Sequence, residues 1–374
     1  MAQQPDKHDT RPSHLRDAVE HTVPAEEFTS EALRERVERT AADQAPDETA
    51  QQYLRKTVAD SDATDAKGDS RPLTSIGDSA PVPPELLDDD AAEEVGRRFV
   101  LQDEVGAGAT SRVYAFRDRS LDRIVAVKVL RGSREAKQAV RNRFIHEARV
   151  TAKLEHPNIM PVHDIGTTDV RGLYFVMKHA QGVTLGEAIT AARERQPVPR
   201  EFAHADGRVR IFLKVLDAVA FAHSRGYIHQ DIKPDNIMLG EYGEVLLLDW
   251  GSAVSREQAN KPGGRAMLYG TPAYMSPEQA RRDHVDERSD IYCLGTTLFH
   301  ALLLRHPMFE ESPDRYWERK REGDLDAPTE HERRSVPAAV LDIALKAMAP
   351  DPDDRYQSVS ELADELKRYQ SGLS

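Results

Sequence analysis

The sequence has 374 residues, one cysteine and a net charge of −13, and its length suits one large domain with an extension, or two domains. Residues 1–95 contain ten Lys and Arg but 23 Asp and Glu, which leaves 41 residues of each sign in residues 96–374. A charge-balanced body lacks the basic face that nucleic-acid phosphates require, so nucleic acid is excluded as the main partner.

The single cysteine and the lengths of the apolar runs indicate the compartment. Cys293 alone can form neither an intramolecular disulfide nor a cysteine-cluster metal site, and its setting in I-Y-C-L-G predicts a buried structural thiol. No run approaches the ~18 apolar residues of a membrane helix, the N-terminus has no apolar signal-peptide core, and the chain after the body has no room for a span. We therefore expect a cytoplasmic protein with no membrane span.

Residues 1–95 are rich in Asp, Glu, Ala, Pro, Ser and Thr and poor in aromatics. Such a composition buries too little apolar surface to offset the entropy of ordering, so it predicts a mostly disordered extension. Residues 30–42 and 49–58 are predicted to form short helices, and the P-V-P-P run at 81–84 marks a linker. Two interpretations of the extension are open, a solvated tail and a docking or regulatory arm.

The folded body starts with strand patterns. Apolar stretches on both sides of the turn at 106–111 predict a hairpin, whose glycines would let backbone N–H groups approach nucleotide phosphates. The alternating run V-A-V-K, which ends at Lys128, predicts the next strand. A helical stretch at 139–154 then carries Glu147.

Residues 173–177 form a β-rich apolar run, after which Gly182 and Leu185 open the next predicted helix. Residues 209–223 carry apolar side chains at helical spacing. This spacing predicts a long amphipathic helix that leads to the most informative stretch of the chain.

Residues 227–251 contain the candidate catalytic and metal-binding side chains. Asp231 and Asn236 are followed by Gly243, which signals a turn, and by a buried strand pattern that ends at Asp249. Two short strands joined by a turn would hold two carboxylates and an amide in one cleft. Phosphoryl transfer needs that set, because one Asp orients the attacking hydroxyl while an Asn and a second Asp hold divalent metal on the nucleotide phosphates.

Three more patterns follow this stretch. They are G-T-P-A-Y-M-S-P-E at 270–278, S-D-I-Y-C-L-G around Asp290 and D-P-D-D-R-Y around Arg355.

Together, in this order, these motifs resemble the eukaryotic-like serine/threonine protein kinases of bacterial type. H-Q-D-I-K-P-D-N matches the family's H-R-D-x-x-x-x-N, D-W-G matches D-F-G, and Lys233 is typical of the serine/threonine form of the loop. The sequence departs from the family at four positions. Ser111 replaces the third glycine of the phosphate loop, Gln230 replaces Arg, Trp250 replaces Phe and Ser276 replaces Ala.

The resemblance implies an α+β, bilobal fold. We expect a β-rich N-lobe at about 96–178 and an α-rich C-lobe at about 183–374, which together form the kinase domain at 96–374, preceded by the disordered extension at 1–95.

The resemblance also implies the roles of the catalytic residues. Asp231 would orient the substrate hydroxyl, and Lys233 would neutralise charge on the phosphate as it moves. Asn236 and Asp249 would hold Mg²⁺, with Mn²⁺ as an alternative. Thr271 would contact the catalytic loop and shape the platform for the substrate serine or threonine.

The implied ATP-binding residues come from both lobes. Lys128 would bind the α- and β-phosphates and pair with Glu147, because the alternative partner, Glu135, lies too close to Lys128 along the chain. Met177 is the implied gatekeeper, and the backbone of residues 178–180 would hydrogen-bond adenine. The other implied ATP contacts are Val105, Gly106, Ala107, Gly108, Ala109, Thr110, Ser111, Val113, Ala126, Lys178, Ala180 and Asp249.

Two scaffold contacts are implied in the C-lobe. Asp290 would hold the backbone of the catalytic loop, and Arg355 would pair with Glu278.

Three functions fit the family, namely an active kinase, a catalytically silent scaffold and a small-molecule phosphotransferase. Silent members lack the nucleotide lysine, the catalytic Asp or the metal Asp, and this sequence has all three. The small-molecule enzymes lack the G-T-x-x-Y-x-x-P-E platform. We therefore expect an active kinase whose partners are proteins with Ser or Thr acceptors and, during trans-autophosphorylation, a transiently bound second copy.

Activity is further predicted to be independent of phosphorylation of the activation segment. Gln230 lacks the charge that the family's Arg offers to a phosphate on this segment. Residues 256–270 contain no Ser or Thr, so the phosphate acceptor is missing as well. The competing interpretation is that Ser252 or Ser255 is the phosphosite and another Arg binds it.

Overall fold

The structure is a computed structural model that describes residues 98–108, 110–132, 136–168, 172–260 and 270–372. All of these residues belong to one compact unit of the chain. The predicted disordered extension and its two short helices lie outside the described residues, as do Ala109 and Glu135.

The N-lobe consists of a five-stranded sheet and one long helix. All neighbouring strands are antiparallel, in the order β1-β2-β3-β5-β4. The elements are β1 (Phe99–Ala107), β2 (Ser111–Asp118), β3 (Arg123–Leu130), α1 (Gln138–Lys153), β4 (Val162–Thr168) and β5 (Gly172–Lys178).

The central strand β3 directs Lys128 toward α1. Val125 and Val127 pack in the cluster on one face of the sheet, whereas Leu130 packs with Phe144 of α1 in the cluster on the other face. Side chains alternate between the faces of a strand, so Lys128 shares the face of Leu130.

The C-lobe is largely helical, with two small sheets of order β6-β8-β9 and β10-β7. Its strands are β6 (Gly182–Thr184), β7 (Tyr227–Ile228), β8 (Ile237–Gly240), β9 (Val245–Leu247) and β10 (Val254–Ser255). Its helices are α2 (Leu185–Arg193), α3 (Ala205–Ser224), α4 (Arg256–Ala259), α5 (Pro277–Arg281), α6 (Glu287–Leu303), α7 (Pro313–Glu322), α8 (Glu330–Ser335), α9 (Ala338–Ala347) and α10 (Val359–Gln370). Short 3-10 turns occur at Pro234–Asn236, Trp250–Ser252 and Pro352–Asp354.

Helix α6 lies at the centre of the C-lobe. Every residue from Ser289 to Leu302 is buried, as expected for a helix that packs against neighbours on all sides. Cys293 is buried in this helix, as predicted for a structural thiol, and burial raises the pKa of its thiol well above the usual value.

The two lobes are joined near the C-terminal end of α1. The Met160 N–H donates to the Leu247 carbonyl at 3.2 Å, and the Leu247 N–H donates to the Asn158 carbonyl at 2.8 Å. The segment after α1 therefore continues the small C-lobe sheet, and the predicted bilobal, α+β architecture is confirmed. Within the described ranges, no helix is both long and apolar enough to cross a membrane.

Candidate active site

Asp290 of α6 holds the backbone of the catalytic loop, the segment around Asp231. Its carboxylate accepts hydrogen bonds from the backbone N–H groups of His229 and Gln230, each at 2.8 Å, and lies 2.8 Å from His223 Nε2. Burial alone would raise the pKa of Asp290, but the bond and charge of His223 and the bound N–H of His229 lower it. An ionised Asp290 therefore fixes the backbone that leads into Asp231.

Two residues that flank the cleft have left-handed backbones, Gln230 with φ +65° and Asp249 with φ +55°. Such conformations cost about 1–3 kcal/mol for residues other than glycine, and they persist where surrounding contacts enforce them. At Gln230 the enforcing contacts are its N–H to Asp290 and its carbonyl, which accepts from Gln279 Nε2 at 2.9 Å. Sequence reasoning missed Gln279, which joins helix α5 to the catalytic loop.

Asp231 is fixed by three of the predicted residues. Asn236 Nδ2 donates to the Asp231 carbonyl at 2.8 Å, and Thr271 Oγ1 donates to Asp231 Oδ1 at 2.9 Å. Lys233 Nζ donates to Thr271 Oγ1 at 2.6 Å and lies 3.4 Å from Asp231 Oδ2. The structure thus brings together a carboxylate, a cation and the hydroxyl of the 270–278 motif.

Lys128 and Glu147 form a bond between Nζ and Oε1 of 2.5 Å, with side chains 16% and 12% exposed. Burial raises the pKa of the Glu147 carboxyl to about 7, with Asp249 adding and Lys128 opposing. Burial would lower the pKa of Lys128, but the charges of Glu147 and Asp249 outweigh it and raise the pKa. Lys128 is therefore a cation between two carboxyl groups, and the predicted partner Glu147 is in contact.

Asp249 begins the turn of the D-W-G motif. Its Oδ1 accepts from the Gly251 N–H at 3.2 Å, and Lys128 and this N–H lower the pKa of Asp249 against the opposing effect of burial. A Cβ on Gly251 would lie 3.1 Å from Asp249 Oδ1. Because Gly251 has no side chain, the Asp249 carboxylate can approach the Gly251 N–H without a steric clash.

The donor set of Asp249 and Asn236 suits a hard divalent cation. The Asn236 amide donates through Nδ2, so Oδ1 is the atom of this side chain that could bind a cation together with the Asp249 carboxylate, whose lowered pKa keeps it ionised. Within the described ranges, no group of three or more His, Cys, Asp or Glu side chains could hold a metal. A cation here would need oxygens from a second molecule, as Mg²⁺ commonly takes from nucleotide phosphates.

The glycine-rich turn is closed by the Gly108 N–H, which donates to the Ser111 carbonyl at 2.8 Å. A Cβ on Gly106 would meet nothing within 4 Å, and a Cβ on Gly108 would meet Ser111 atoms at ordinary contact distance, 3.6 Å or more. The fold does not require glycine at these two positions. The space beside them agrees with the predicted role of this turn, in which a ligand approaches the backbone closely.

The other implied ATP contacts line the N-lobe side of this turn. Val113 pairs in register with Gly106 on β1 and with Lys128 on β3, and Ala126 pairs with Met177 on β5. Ala126 is buried and Ser111 is buried, while Val105 is 46% exposed. Ala107 and Thr110 lie within the turn at 106–111, and Ala109 lies outside the described residues.

One backbone donor of the predicted hinge is already engaged within the fold. The Lys178 N–H donates to the Pro161 carbonyl at 3.0 Å, so this donor is already used within the fold. The predicted adenine contacts from residues 178–180 would then come from the other backbone groups of this stretch, and they stay a prediction. The Lys178 side chain forms an ion pair with Glu244 of the C-lobe.

Two residues of α1 that sequence reasoning missed bind the turn after Asp249. Arg143 donates from Nε to the Gly251 carbonyl at 3.1 Å and from Nη2 to Ser252 Oγ at 2.8 Å. His146 Nε2 lies 2.7 Å from the Ala253 carbonyl. The available signal was spacing, because Arg143 lies one helical turn before Glu147 and shares its face.

The 270–278 motif ends in a buried ion pair. Arg355 Nη1 and Nη2 donate to the two carboxylate oxygens of Glu278 at 2.7 and 2.9 Å. The implied pairing of these residues is therefore present in the structure.

Comparison with known proteins agrees with this geometry. The model of the family described as "Protein kinase domain" matches residues 99–366. The chain is 32% identical over 295 residues to serine/threonine-protein kinase PknD of Chlamydia felis, which covers 74% of this chain and 31% of that protein. It is 35% identical over 285 residues to serine/threonine-protein kinase PknB of Mycobacterium leprae, with 74% and 43% covered.

A third relative, PknD of Protochlamydia amoebophila, is 32% identical over 291 residues, with 72% of this chain and 30% of that protein covered. The chain thus spans about a third of the length of these PknD relatives. The chain belongs to the protein kinase domain family, in its bacterial, eukaryotic-like serine/threonine branch.

Proposed function

We propose that this chain transfers the γ-phosphate of ATP to Ser and Thr hydroxyls of proteins, itself included. The observation that carries the proposal concerns the three groups of which silent family members lack at least one, namely the nucleotide lysine, the catalytic Asp and the metal Asp. In this structure each of them is held by neighbouring groups. Lys128 is paired with Glu147, Asp231 is oriented by Thr271, and Asp249 is ionised beside them. We assign the catalytic domain to residues 96–374, and its boundaries and a cytoplasmic location stay predictions.

The substrate ATP fits between the lobes, beneath the turn at 106–111 and against Lys128. Mg²⁺ held by Asp249 and Asn236 would offset the negative charge of the phosphates, and the relatives leave open which divalent cation is used. Asp231 accepts a hydrogen bond from the acceptor hydroxyl and aims it at the γ-phosphate.

Lys233 lies within reach of the same carboxylate and offsets charge on the transferred group. Because the transition state of phosphoryl transfer is loose, positioning and electrostatic stabilisation supply most of the acceleration.

We further propose that activity does not depend on phosphorylation of the activation segment. Arg143 and His146 bind residues 251–253 directly, so α1 and Glu147 are held toward the cleft by protein contacts alone. Gln230 is neutral and only 3% exposed, and residues 261–269 lie outside the described residues.

Both alternative phosphosites already have structural roles. Ser252 is 4% exposed and accepts the hydrogen bond of Arg143. Ser255 Oγ caps α4 by accepting from the Gln258 N–H at 3.1 Å. An alanine at either position would lose a structural contact, so a loss of activity in such variants would not identify a phosphosite.

The phosphatase-treated wild-type chain is therefore the clean test. With Mg²⁺, ATP and a Ser/Thr peptide, we expect product to form linearly from the first turnover, at a rate within about twofold of the untreated chain. The measurement is a progress curve, with phosphoamino-acid analysis of the peptide and of the chain. Untreated chain is the matched control.

The two proposals fail in different ways in this experiment. Independence from phosphorylation would be contradicted by an initial lag or by a rate at least tenfold lower after phosphatase treatment. A tenfold lower rate corresponds to an activation free energy higher by about 1.4 kcal/mol. Absence of phosphate on peptide and chain alike would contradict the kinase activity itself.

The glycine-rich turn gives a prediction about ATP binding. Gly106→Ala and Gly108→Ala should weaken ATP binding by roughly tenfold, about 1.4 kcal/mol, because the added methyl groups occupy the space of approach to the phosphates. The melting temperature should stay the same or rise slightly, since a tolerated Gly→Ala change stabilises by about 0.4–1 kcal/mol. Calorimetric titration with ATP and thermal melting measure the two effects.

Gly182→Ala is the control for a glycine that the fold requires. Gly182 has φ +147°, and a Cβ there would lie 2.0 Å from the Leu239 carbonyl oxygen. This variant should melt at a clearly lower temperature than wild type. Unchanged ATP affinity in both Gly106→Ala and Gly108→Ala would show that the ATP phosphates do not bind beneath this turn.

A further inference from the structure

Lys320 is a buried lysine on a highly charged helix. Helix α7 has the sequence P-D-R-Y-W-E-R-K-R-E, which predicts a solvated surface helix, yet Lys320 is 1% exposed. Its neighbours Arg321 and Glu322 are exposed. The amine of Lys320 therefore lies inside the C-lobe while the two residues that follow it face water.

The contacts of this amine are few. Lys320 Nζ donates to the Ala273 carbonyl at 3.3 Å and lies 5.3 Å from the centre of the Tyr292 ring. Among the described residues Lys320 forms no ion pair within 4 Å. Burial lowers the pKa of Lys320 to about 8, with Cys293 and Glu278 opposing the shift. Burying a cation without a paired carboxylate costs free energy. The presence of a lysine at this position therefore indicates that its amine acts through its contacts to Ala273 and Tyr292.

Ala273 lies in the turn that connects to the catalytic Asp. The Thr271 carbonyl accepts from the N–H groups of Tyr274 and Met275 at 2.9 and 3.2 Å, which closes the turn around Ala273. At its start, Thr271 Oγ1 donates to Asp231 Oδ1. The turn is thus held at one side by Asp231 and at the other by Lys320.

We propose that Lys320 is a positioning residue for the protein acceptor site, which it serves by holding the Ala273 carbonyl and thereby the turn that presents Thr271 to Asp231. This inference rests on the proposed kinase function. It places a determinant of acceptor binding on α7, which touches neither Asp231 nor the ATP-binding residues by any contact described above.

The competing explanation is that Lys320 only fills space in the core. Methionine has a similar length and lacks the amine, so Lys320→Met separates the two explanations. A space-filling role predicts that this variant behaves as wild type. A positioning role predicts a selective defect toward the protein acceptor.

The test uses the full chain with Lys320→Met. We expect KM for a Ser/Thr peptide to rise about tenfold, with KM for ATP within twofold of wild type and a melting temperature at pH 7 that is unchanged or higher. Lys346→Met is the matched control, because Lys346 Nζ also lies over a tyrosine ring, 4.2 Å from the centre of Tyr356, on a different helix. This control should leave both KM values unchanged.

Hydrogen exchange of residues 271–276 supplies a second readout that needs no activity. Exchange there should be faster in Lys320→Met and unchanged in Lys346→Met. Either an unchanged peptide KM or unchanged exchange overturns the proposal, and so does a loss of ATP and peptide binding together with a lower melting temperature. If the wild-type chain transfers no phosphate, the kinase function fails, while unchanged exchange in the turn would still overturn the role of Lys320.

Discussion

Asp231→Asn is expected to lower the rate of phosphate transfer by about 10²–10⁴-fold, the usual contribution of a positioned acid–base group. The substituted amide keeps the size of the side chain, and its oxygen can still accept from Thr271 Oγ1, as Asp231 Oδ1 does at 2.9 Å. It loses the negative charge that orients the acceptor hydroxyl and accepts its proton. Initial rates with a Ser/Thr peptide measure the effect.

Nucleotide binding should survive this substitution, because in the proposed mechanism Asp231 contacts the acceptor hydroxyl and Lys128 contacts the phosphates. The rise in melting temperature with Mg²⁺ and ATP is therefore expected to equal that of wild type. Asp342→Asn makes the same chemical change at a side chain that is 69% exposed and should leave the rate unchanged. A rate for Asp231→Asn within tenfold of wild type would remove Asp231 from its proposed role.

The sequence predicted those parts of the site whose geometry follows from local patterns. The alternation of V-A-V-K places Lys128 on the face of β3 that meets α1, and Glu147 lies in the helix found there. Asp231, Asn236 and Asp249 come together because two short strands, β8 and β9, are paired between them. Strand pairing of this kind is readable from a turn signal and an apolar run.

The residues that sequence analysis missed bind backbone groups far away in the chain. Arg143 donates to a carbonyl 108 residues later, and Gln279 donates to one 49 residues earlier. A carbonyl carries no residue signature, so a sequence pattern cannot name the acceptor of such a contact, although the spacing of Arg143 from Glu147 does place both side chains on one face of α1. The burial of Lys320 is likewise invisible in the sequence, because the charged composition of α7 is typical of an exposed helix and only tertiary packing buries this side chain. The Lys178 N–H donates to the Pro161 carbonyl, a contact that follows from the pairing of β4 with β5 and not from a local pattern.

Arg355→Met is expected to lower the free energy of unfolding by about 3–5 kcal/mol, because it leaves the Glu278 carboxylate buried without its partner. All five N–H donors of Arg355 are engaged. Two bind Glu278, and the others bind the carbonyls of Ala349, Arg288 and Pro350 at 2.7, 2.9 and 3.0 Å. At about 2–4 °C per kcal/mol, the melting temperature should fall by roughly 10 °C.

Arg333→Met is the matched control for this experiment. Arg333 lies 3.7 Å from Asp342, and these side chains are 46% and 69% exposed. An exposed pair of this kind contributes about 0–1 kcal/mol, so the control should melt within a few degrees of wild type. Similar melting of both variants would show that burial of the Glu278–Arg355 pair adds nothing to stability.

The pH dependence of this pair has a definite sign. Burial alone would raise the pKa of Glu278, but Arg355 and the Ser289 hydroxyl, which donates at 2.7 Å, lower it. A carboxyl whose pKa is lower in the folded chain contributes stability above its unfolded pKa, and this contribution is lost as pH falls through the folded pKa. Glu278→Gln should therefore differ most from wild type near neutral pH and least in acid.

The double variant Glu278→Leu, Arg355→Met separates two contributions to the free energy of unfolding. One is the cost of burying a single unpaired charge, and the other is the net contribution of the ion pair. Each single change leaves one charged group buried alone, whereas the double change removes both charges. We expect the double variant to be less destabilised than the sum of the single variants, with a coupling of about 0.5–3 kcal/mol. Additive melting data would mean that the single variants lose stability through the carbonyl contacts of Arg355 and the Ser289 bond, and not through an orphaned charge.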